Sequence, residues 1–377
     1  MDKLFIGKNL RFARQARNIS RKVLGEQIEQ PSSYIHQLEL NHFAPTIPEK
    51  RTLASCLGVT REFFSLPYFM LEGQDFTNYV EQRIDKRTQQ HLSAQAVIVN
   101  HLVALFDSEL EFPKLDLPEI DTKQLDGFHY VNEVEDIAEQ ARKYWKLGTC
   151  GHPRLMAGIE NGGIPIVGVD NPKIDFEACS VLLQRPIFMV SLNQPVHKQR
   201  FQVAYLLGRL LMHLGGEKVE YKEKHQAVQF AYAFLIPRVA FCYEFKKGWR
   251  LDWKHIAELE QRWKVSKKMI LHRAKHFGMI NTLQYRTSLK KAERLGESEL
   301  EKDQPDLITL AIRAMWKFCG RTVDDLADDL SVSRNFLEKI IGHHIGRLKG
   351  EVTDLGQFKD QNVVRLEHFR RKKESSC

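Results

Sequence analysis

Closely spaced cysteines are missing. The six present, Cys56, Cys150, Cys179, Cys242, Cys319 and Cys377, are scattered, and none forms a C-x-x-C pair. This excludes a cysteine-built zinc site and points to a reduced, cytoplasmic protein. Long apolar runs are missing too. No stretch reaches the roughly 18 residues that a membrane span needs, and the opening MDKLFIGKNLRFARQ lacks the apolar centre of a signal peptide. There is no G-x-S-x-G elbow, and the glycines of ENGGIPIVGVDNP come without a P-loop lysine, so neither triad hydrolysis nor a phosphate cradle is expected. Acidic residues are outnumbered, 48 against 56 Lys and Arg, for a net charge of +8. That surplus favours anionic partners such as nucleic acid. What is present is ordinary globular composition, 43% hydrophobic over 377 residues, enough for two or three domains with full cores.

Residues 5 to 66 break into short helical blocks. IGKNLRFARQARN places Ile6, Leu10 and Ala13 on one face, and Ser20 is positioned to cap RKVLGEQIEQ. PSSYIHQLELN follows, with Asn41 just past its end, where a left-handed residue is needed. Then come TIPEKRTLASCLG and TREFFSLP. Two short helices on a tight turn, with further short helices behind, make a helix-turn-helix pattern. Through Leu24, Gly25, Ile28, Tyr34, Ile35, Leu38, Glu39, Asn41, Ala44, Pro45 and LASCLGVTREFF, the segment resembles the XRE family of phage-repressor-like DNA-binding domains. It departs from the family at IEQPSS, where a glycine and a Ser-Arg pair are usual. The resemblance implies that the helix starting near Ser32 enters the major groove of an operator as part of a homodimer. Ser32, Ser33, His36, Gln37 and Asn41 would then face bases or phosphates, and Arg21, Arg14, Lys22 and Arg11 would serve as backbone partners. A solvated helical module used for protein contacts is the alternative.

Residues 67 to 108 are expected to be helical, with an apolar side over QQHLSAQAVIVNHLVALF that serves as a dimer seam or packs on its own chain. The acidic stretch DSELEFPKLDLPEIDTKQLDG, with two prolines, is expected to be an exposed linker or a wrapping segment. From 128 the order is helix, helix, strands, helix, helix. LMAGIENGGIPIVGV, PIFMVSLN, RFQVAYLLGRLLMHL, QAVQFAYAFLIP and WKVSKKMILHRAKHFGMI together resemble the ImmA/IrrE metallopeptidases over about 128 to 285. That family's zinc ligands fall on Tyr205, Arg209 and Gln226, and its general base falls on Leu206. Arginine stays cationic, tyrosine and glutamine are poor zinc ligands, and leucine takes no proton from water. The resemblance therefore implies a frame without its hydrolytic chemistry, a pseudo-peptidase with no cofactor. His213, Glu217, Glu220 and His225 lie nearby as a lesser candidate for a replacement metal site.

Two further segments repeat the helix-turn-helix spacing, 256 to 278 and 323 to 342. LADDLSVSRNFLEKI overlays LGEQIEQPSSYIHQL without a gap. Asp324, Asp325, Asp328 and Asp329 argue against DNA at the last pair, so residues after 300 are expected to be dispensable for DNA affinity, provided dimerisation survives. Lys264, Lys267, Lys268, Arg273 and Lys275 give the middle pair a basic face. The expected fold is mainly α with a small β-sheet (α+β). Its divisions are a helix-turn-helix domain at 1–68, a connector at 69–125 and a pseudo-peptidase domain at 126–285. A helical domain at 286–360 and a basic tail at 361–377 complete the chain. The expected function is a cytoplasmic, sequence-specific DNA-binding repressor. Its alternatives are an antitoxin that neutralises a toxin, such as a PIN-like ribonuclease, and a working zinc peptidase.

Overall fold

A computed structural model describes residues 5–66, 76–78, 84–122, 125, 130–213, 221–248 and 250–352. The basic tail at 361–377 and Gly215 and Gly216 lie outside the described residues. The fold is α+β, helical with one small sheet.

The chain opens with α1 (Gly7–Ala16), α2 (Arg21–Gln27), α3 (Ser32–Glu39) and α4 (Ile47–Leu57), then a single 3-10 turn at Glu62–Ser65. Local chemistry sets these boundaries. Ser20 Oγ accepts from Val23 N at 3.1 Å at the start of α2. Thr46 and Glu49 form a reciprocal capping box at α4. Asn41 takes the left-handed conformation after α3 (φ 59°) and accepts from Gly7 N at 2.6 Å, tying α1 to the α3 end. The Gly7 position itself tolerates no side chain, because a Cβ there would lie 2.0 Å from the Leu38 carbonyl oxygen.

β1 (Phe76–Asn78) falls within the stretch expected to be helical. The extended FTN run is recruited by pairing with a strand far along the chain rather than by local preference. α5 (Lys86–Glu109) follows, capped by Asp85. Its apolar side packs on its own chain, against α1 and the sheet. The acidic stretch after it wraps the body. Asp116 N donates to Gly162 O at 2.9 Å, and Arg185 Nη1 donates to Pro113 O at 2.8 Å.

Then come α6 (Tyr130–Tyr144), α7 (Leu155–Glu160), β2 (Ile166–Val169), β3 (Ala178–Leu182) and β4 (Pro186–Ser191). The sheet order is β1-β3-β4-β2, with only the β2–β4 pair parallel. Every residue of β2 and β4 is buried, and alternation divides them between two cores. Val167, Val169, Ile187 and Met189 face a core made with residues 5–112 and 307–348. Ile166, Phe188 and Val190 face a core made with α6, α8 (Val196–Met212) and α9 (Tyr221–Leu235). The sheet is thus the partition of the molecule.

α10 (Arg238–Glu244), α11 (Trp253–Trp263), α12 (Lys267–His276) and α13 (Thr282–Leu295) extend the second core. α14 (Leu307–Cys319), α15 (Val323–Asp329) and α16 (Arg334–Val352) return to the first. The turns after α2, α4, α11 and α15 each carry a left-handed residue, Glu29, Gly58, Lys264 and Ser331. Only Gly58 is free of the steric cost, about 1 kcal/mol or more for the others. Two of these turns face each other. Val59 and Val332 form an antiparallel bridge, with Thr60 N donating to Ser331 O at 2.9 Å and Ser333 N donating to Gly58 O at 2.8 Å.

Candidate functional site

α2 and α3 form the helix-turn-helix pair. Leu24, Ile35 and Leu38 fill the core beneath them, while Lys22, Ser32, Ser33, His36 and Gln37 are exposed. The only acid on α3, Glu39, is buried, so the exposed face of that helix carries no carboxylate. Glu39 is held from two sides: Arg14 Nε donates to Oε1 at 2.6 Å, and Arg21 Nε donates to Oε2 at 2.7 Å. Arg14 also donates to Ile19 O at 2.9 Å. Arg14 and Arg21, along with Asn41, are therefore braces of the unit itself. Lys22 and Arg11 are the exposed cations beside it. Sequence reasoning missed the clasp on Glu39; its only signal was an acid at an apolar-phase position of α3.

The positions of the peptidase frame lie on α8 and α9. Tyr205 and Leu206 are fully buried in the second core. Burial, first, and the Glu223 carboxylate push the Tyr205 phenol up to about 12, so it is neutral near pH 7. Arg209, one turn on, is 5% exposed and donates to Glu223 Oε2 at 2.7 Å. Gln226 Nε2 donates to Leu125 O at 2.8 Å. Leu125 is itself buried in the second core, which brings the acidic wrapping segment into this frame. The two helices approach closely at Gly208, where a Cβ would meet Phe230 at 2.7 Å. Tyr205, Leu206, Arg209 and Gln226 are thus committed to packing, an ion pair and a backbone hydrogen bond. Among the described residues, no three His, Cys, Asp or Glu side chains converge as metal ligands. Glu217 and Glu220 lie outside the described residues.

The basic residues of the middle turn unit form no open basic face. Lys267 pairs with buried Glu260 at 2.5 Å, and Lys264 pairs with Glu301 at 2.7 Å. Arg273, fully buried, grips both oxygens of Glu135 and donates to Ile236 O at 2.7 Å. Only Lys268 and Lys275 remain at the surface side, bound to Glu293 and Thr282. The aspartates of the last unit are partnered locally in part. Asp324 pairs with Arg334 at 2.6 Å, Asp329 pairs with Arg321, and Asp325 caps its helix with Thr322.

These contacts fix what the frame is made of. Residues 164–275 match the IrrE N-terminal-like domain, a peptidase family. The match is narrower than the 128 to 285 resemblance, beginning at the lead-in to β2 and ending on α12. Tyr205, Leu206, Arg209 and Gln226 all fall inside it. No curated protein matches the chain. Among the described residues, no helix is long and apolar enough to cross a membrane.

Proposed function

We propose that this protein is a DNA-binding transcriptional repressor whose IrrE-like segment is a pseudo-peptidase used for sensing or protein binding. The observation that carries the proposal is the exposed face of α3. Ser32, Ser33, His36 and Gln37 offer hydrogen-bonding groups with no carboxylate among them, next to Lys22 and Arg11. Such a face suits base edges flanked by phosphates. The loss of hydrolytic chemistry is supported by the donors that remain: a neutral phenol, a guanidinium already paired, an amide held by a carbonyl, and a leucine where a base is required.

The test is a salt titration of operator and random duplexes with wild type, Gln37→Ala and Lys22→Ala. The chain binds as a dimer to a two-fold symmetric site in its own promoter region. Gln37→Ala relaxes discrimination by about 1 to 3 kcal/mol for a lost bidentate contact. Lys22→Ala weakens all sequences alike and lowers the salt slope by about one counterion. Equal affinity of wild type for both duplexes would overturn the proposal. Arg21 is unsuited to this test, because its removal also loosens buried Glu39.

An antitoxin role is a second reading, favoured by one surface. Val239 and Tyr243 stand one turn apart on α10 and are 67% and 92% exposed. Val239 also borders a cavity of about 700 Å³ lined by Asp136, Glu139, Lys143 and Pro237. An apolar ridge beside a charged hollow suits a protein partner.

A further inference from the structure

A cavity of about 920 Å³ lies where the end of α1, α5, the end of β2 and α16 meet. Its size is in the upper part of the range of small-ligand sites, roughly 300 to 1,000 Å³. It joins the N-terminal turn unit to the sheet, and neither Tyr205, Leu206, Arg209 and Gln226 nor the exposed residues of α3 line it.

Its lining is incomplete in a specific way. Gln95, 3% exposed, has no donor for its side-chain oxygen among the described residues. The same holds for Asn18 Oδ1, and His343 Nε2 is also unmet. All three residues line the cavity. Buried acceptors are rarely left unmet in native proteins, and each calls for a water, an ion or a ligand. The positive charge is unmet as well. Arg17, at the end of α1, lays its guanidinium over the Phe336 ring at 5.8 Å and has no carboxylate partner among the described residues. Lys339, on the next turn of α16, has none either. Burial lowers the Arg17 pKa, and burial together with the Arg17 charge lowers that of Lys339, as two neighbouring cations require. The lining carboxylates do not neutralise them. Glu338 is bound to Arg334 at 3.0 Å, and Asp170 sits at the β2 end.

We propose that this cavity binds a nucleotide, with its phosphate on Arg17 and Lys339 and its hydroxyl or amino donors on Gln95 and Asn18. Phosphate suits paired cations. Orphan acceptors require a ligand that also donates, which a bare phosphate near neutral pH does poorly. The volume is far larger than a free amino acid needs. Because the ligand would touch α1, α5 and α16 together, it would brace the N-terminal turn unit against the sheet.

The experiment is calorimetric titration of the full chain, without DNA, against AMP, GMP, CMP, adenosine, ribose 5-phosphate and inorganic phosphate. The absence of DNA keeps the outcome separate from the repressor proposal. Saturable binding of at least one nucleotide is expected, with inorganic phosphate at least tenfold weaker. Adenosine should be tenfold weaker than AMP if AMP is the nucleotide bound. Lys339→Gln, at an exposed position, should weaken the nucleotide at least tenfold and leave the unfolding temperature of the unliganded chain unchanged. Gln95→Leu should weaken the nucleotide but not inorganic phosphate. Absence of binding by all three nucleotides at millimolar concentration overturns the proposal. So does phosphate binding as tightly as the nucleotide, or Lys339→Gln binding as wild type.

Discussion

His344 is held at both ring nitrogens. Nε2 accepts from Gly168 N at 3.3 Å, and Nδ1 lies 3.1 Å from Thr309 Oγ1. Gly168 is on the edge strand β2, so the imidazole satisfies an N–H that has no strand beyond it. A proton on Nε2 would face that N–H directly. Burial, first, and then the charges of His343 and Arg347 push the His344 pKa down to about 3. The unfolded chain binds this proton near pH 6.5. Between the two values the unfolded state carries the proton and the folded state does not, so stability falls as pH falls below 6.5. The loss is about 1.4 kcal/mol per pH unit, or about 2 kcal/mol from pH 7 to pH 5 for this group. Denaturant unfolding at the two pH values should show it, and His344→Gln should flatten the difference. A variant that loses as much as wild type would refute this role. None of this was legible in sequence. His343 and His344 read as two histidines in a helical segment, and their partners sit on strand and helix positions far away in the chain. By contrast, Asn41 was legible, because a left-handed residue at a helix end is a local requirement.

At the scale of elements, helices with their own caps and the apolar strands β2 and β4 were readable, and β1 and β3 were not. Ser20, the apolar spacing of α1 and the turn before Ser32 specify their helices locally. β1 is short and takes its conformation from pairing with β3, a non-local cause that leaves little periodicity, and β3 is held between β1 and β4. The basic face of the middle turn unit misled for a related reason: Arg273 and Lys267 are cations by type, and only the fold supplies buried Glu135 and Glu260. The same limit applied to Arg209, whose partner Glu223 sits one turn before Gln226 on the next helix. α10 yields a prediction at this scale. If the exposed ridge binds the toxin of the antitoxin reading, Val239→Asp with Tyr243→Asp should abolish co-purification with that toxin. It should leave folding intact, because both side chains face water. Retention of the partner by the double variant would exclude this ridge as the interface.

At the scale of the molecule, the two ends of the chain share one core. The expectation that residues after 300 are dispensable for DNA affinity does not extend to stability. α14 packs on α5 and β2, α16 packs on β2, and Val332 sits against Val59. Removing residues 307–352 would strip the first core of Ile308, Ile312, Phe336, Leu337 and Ile340 and uncover what they pack on in α5 and β2. At about 25 cal/mol per Å² of apolar surface, the loss reaches several kcal/mol. A fragment ending at 300 should therefore melt well below the full chain and bind hydrophobic dye. An unchanged melting temperature would disprove the shared core.

The bridge between Val59 and Val332 also sets a timetable. A ribosome that has just joined Val59 must still make most of the chain before Val332 exists. At about 5 to 20 residues per second, the wait is on the order of ten seconds to a minute. From its emergence out of the exit tunnel until then, the N-terminal turn unit has Gly58 and Thr60 unmated. The first helices made are thus among the last to be finished, and a nascent chain halted in the middle would present an open edge to its neighbours on the same messenger.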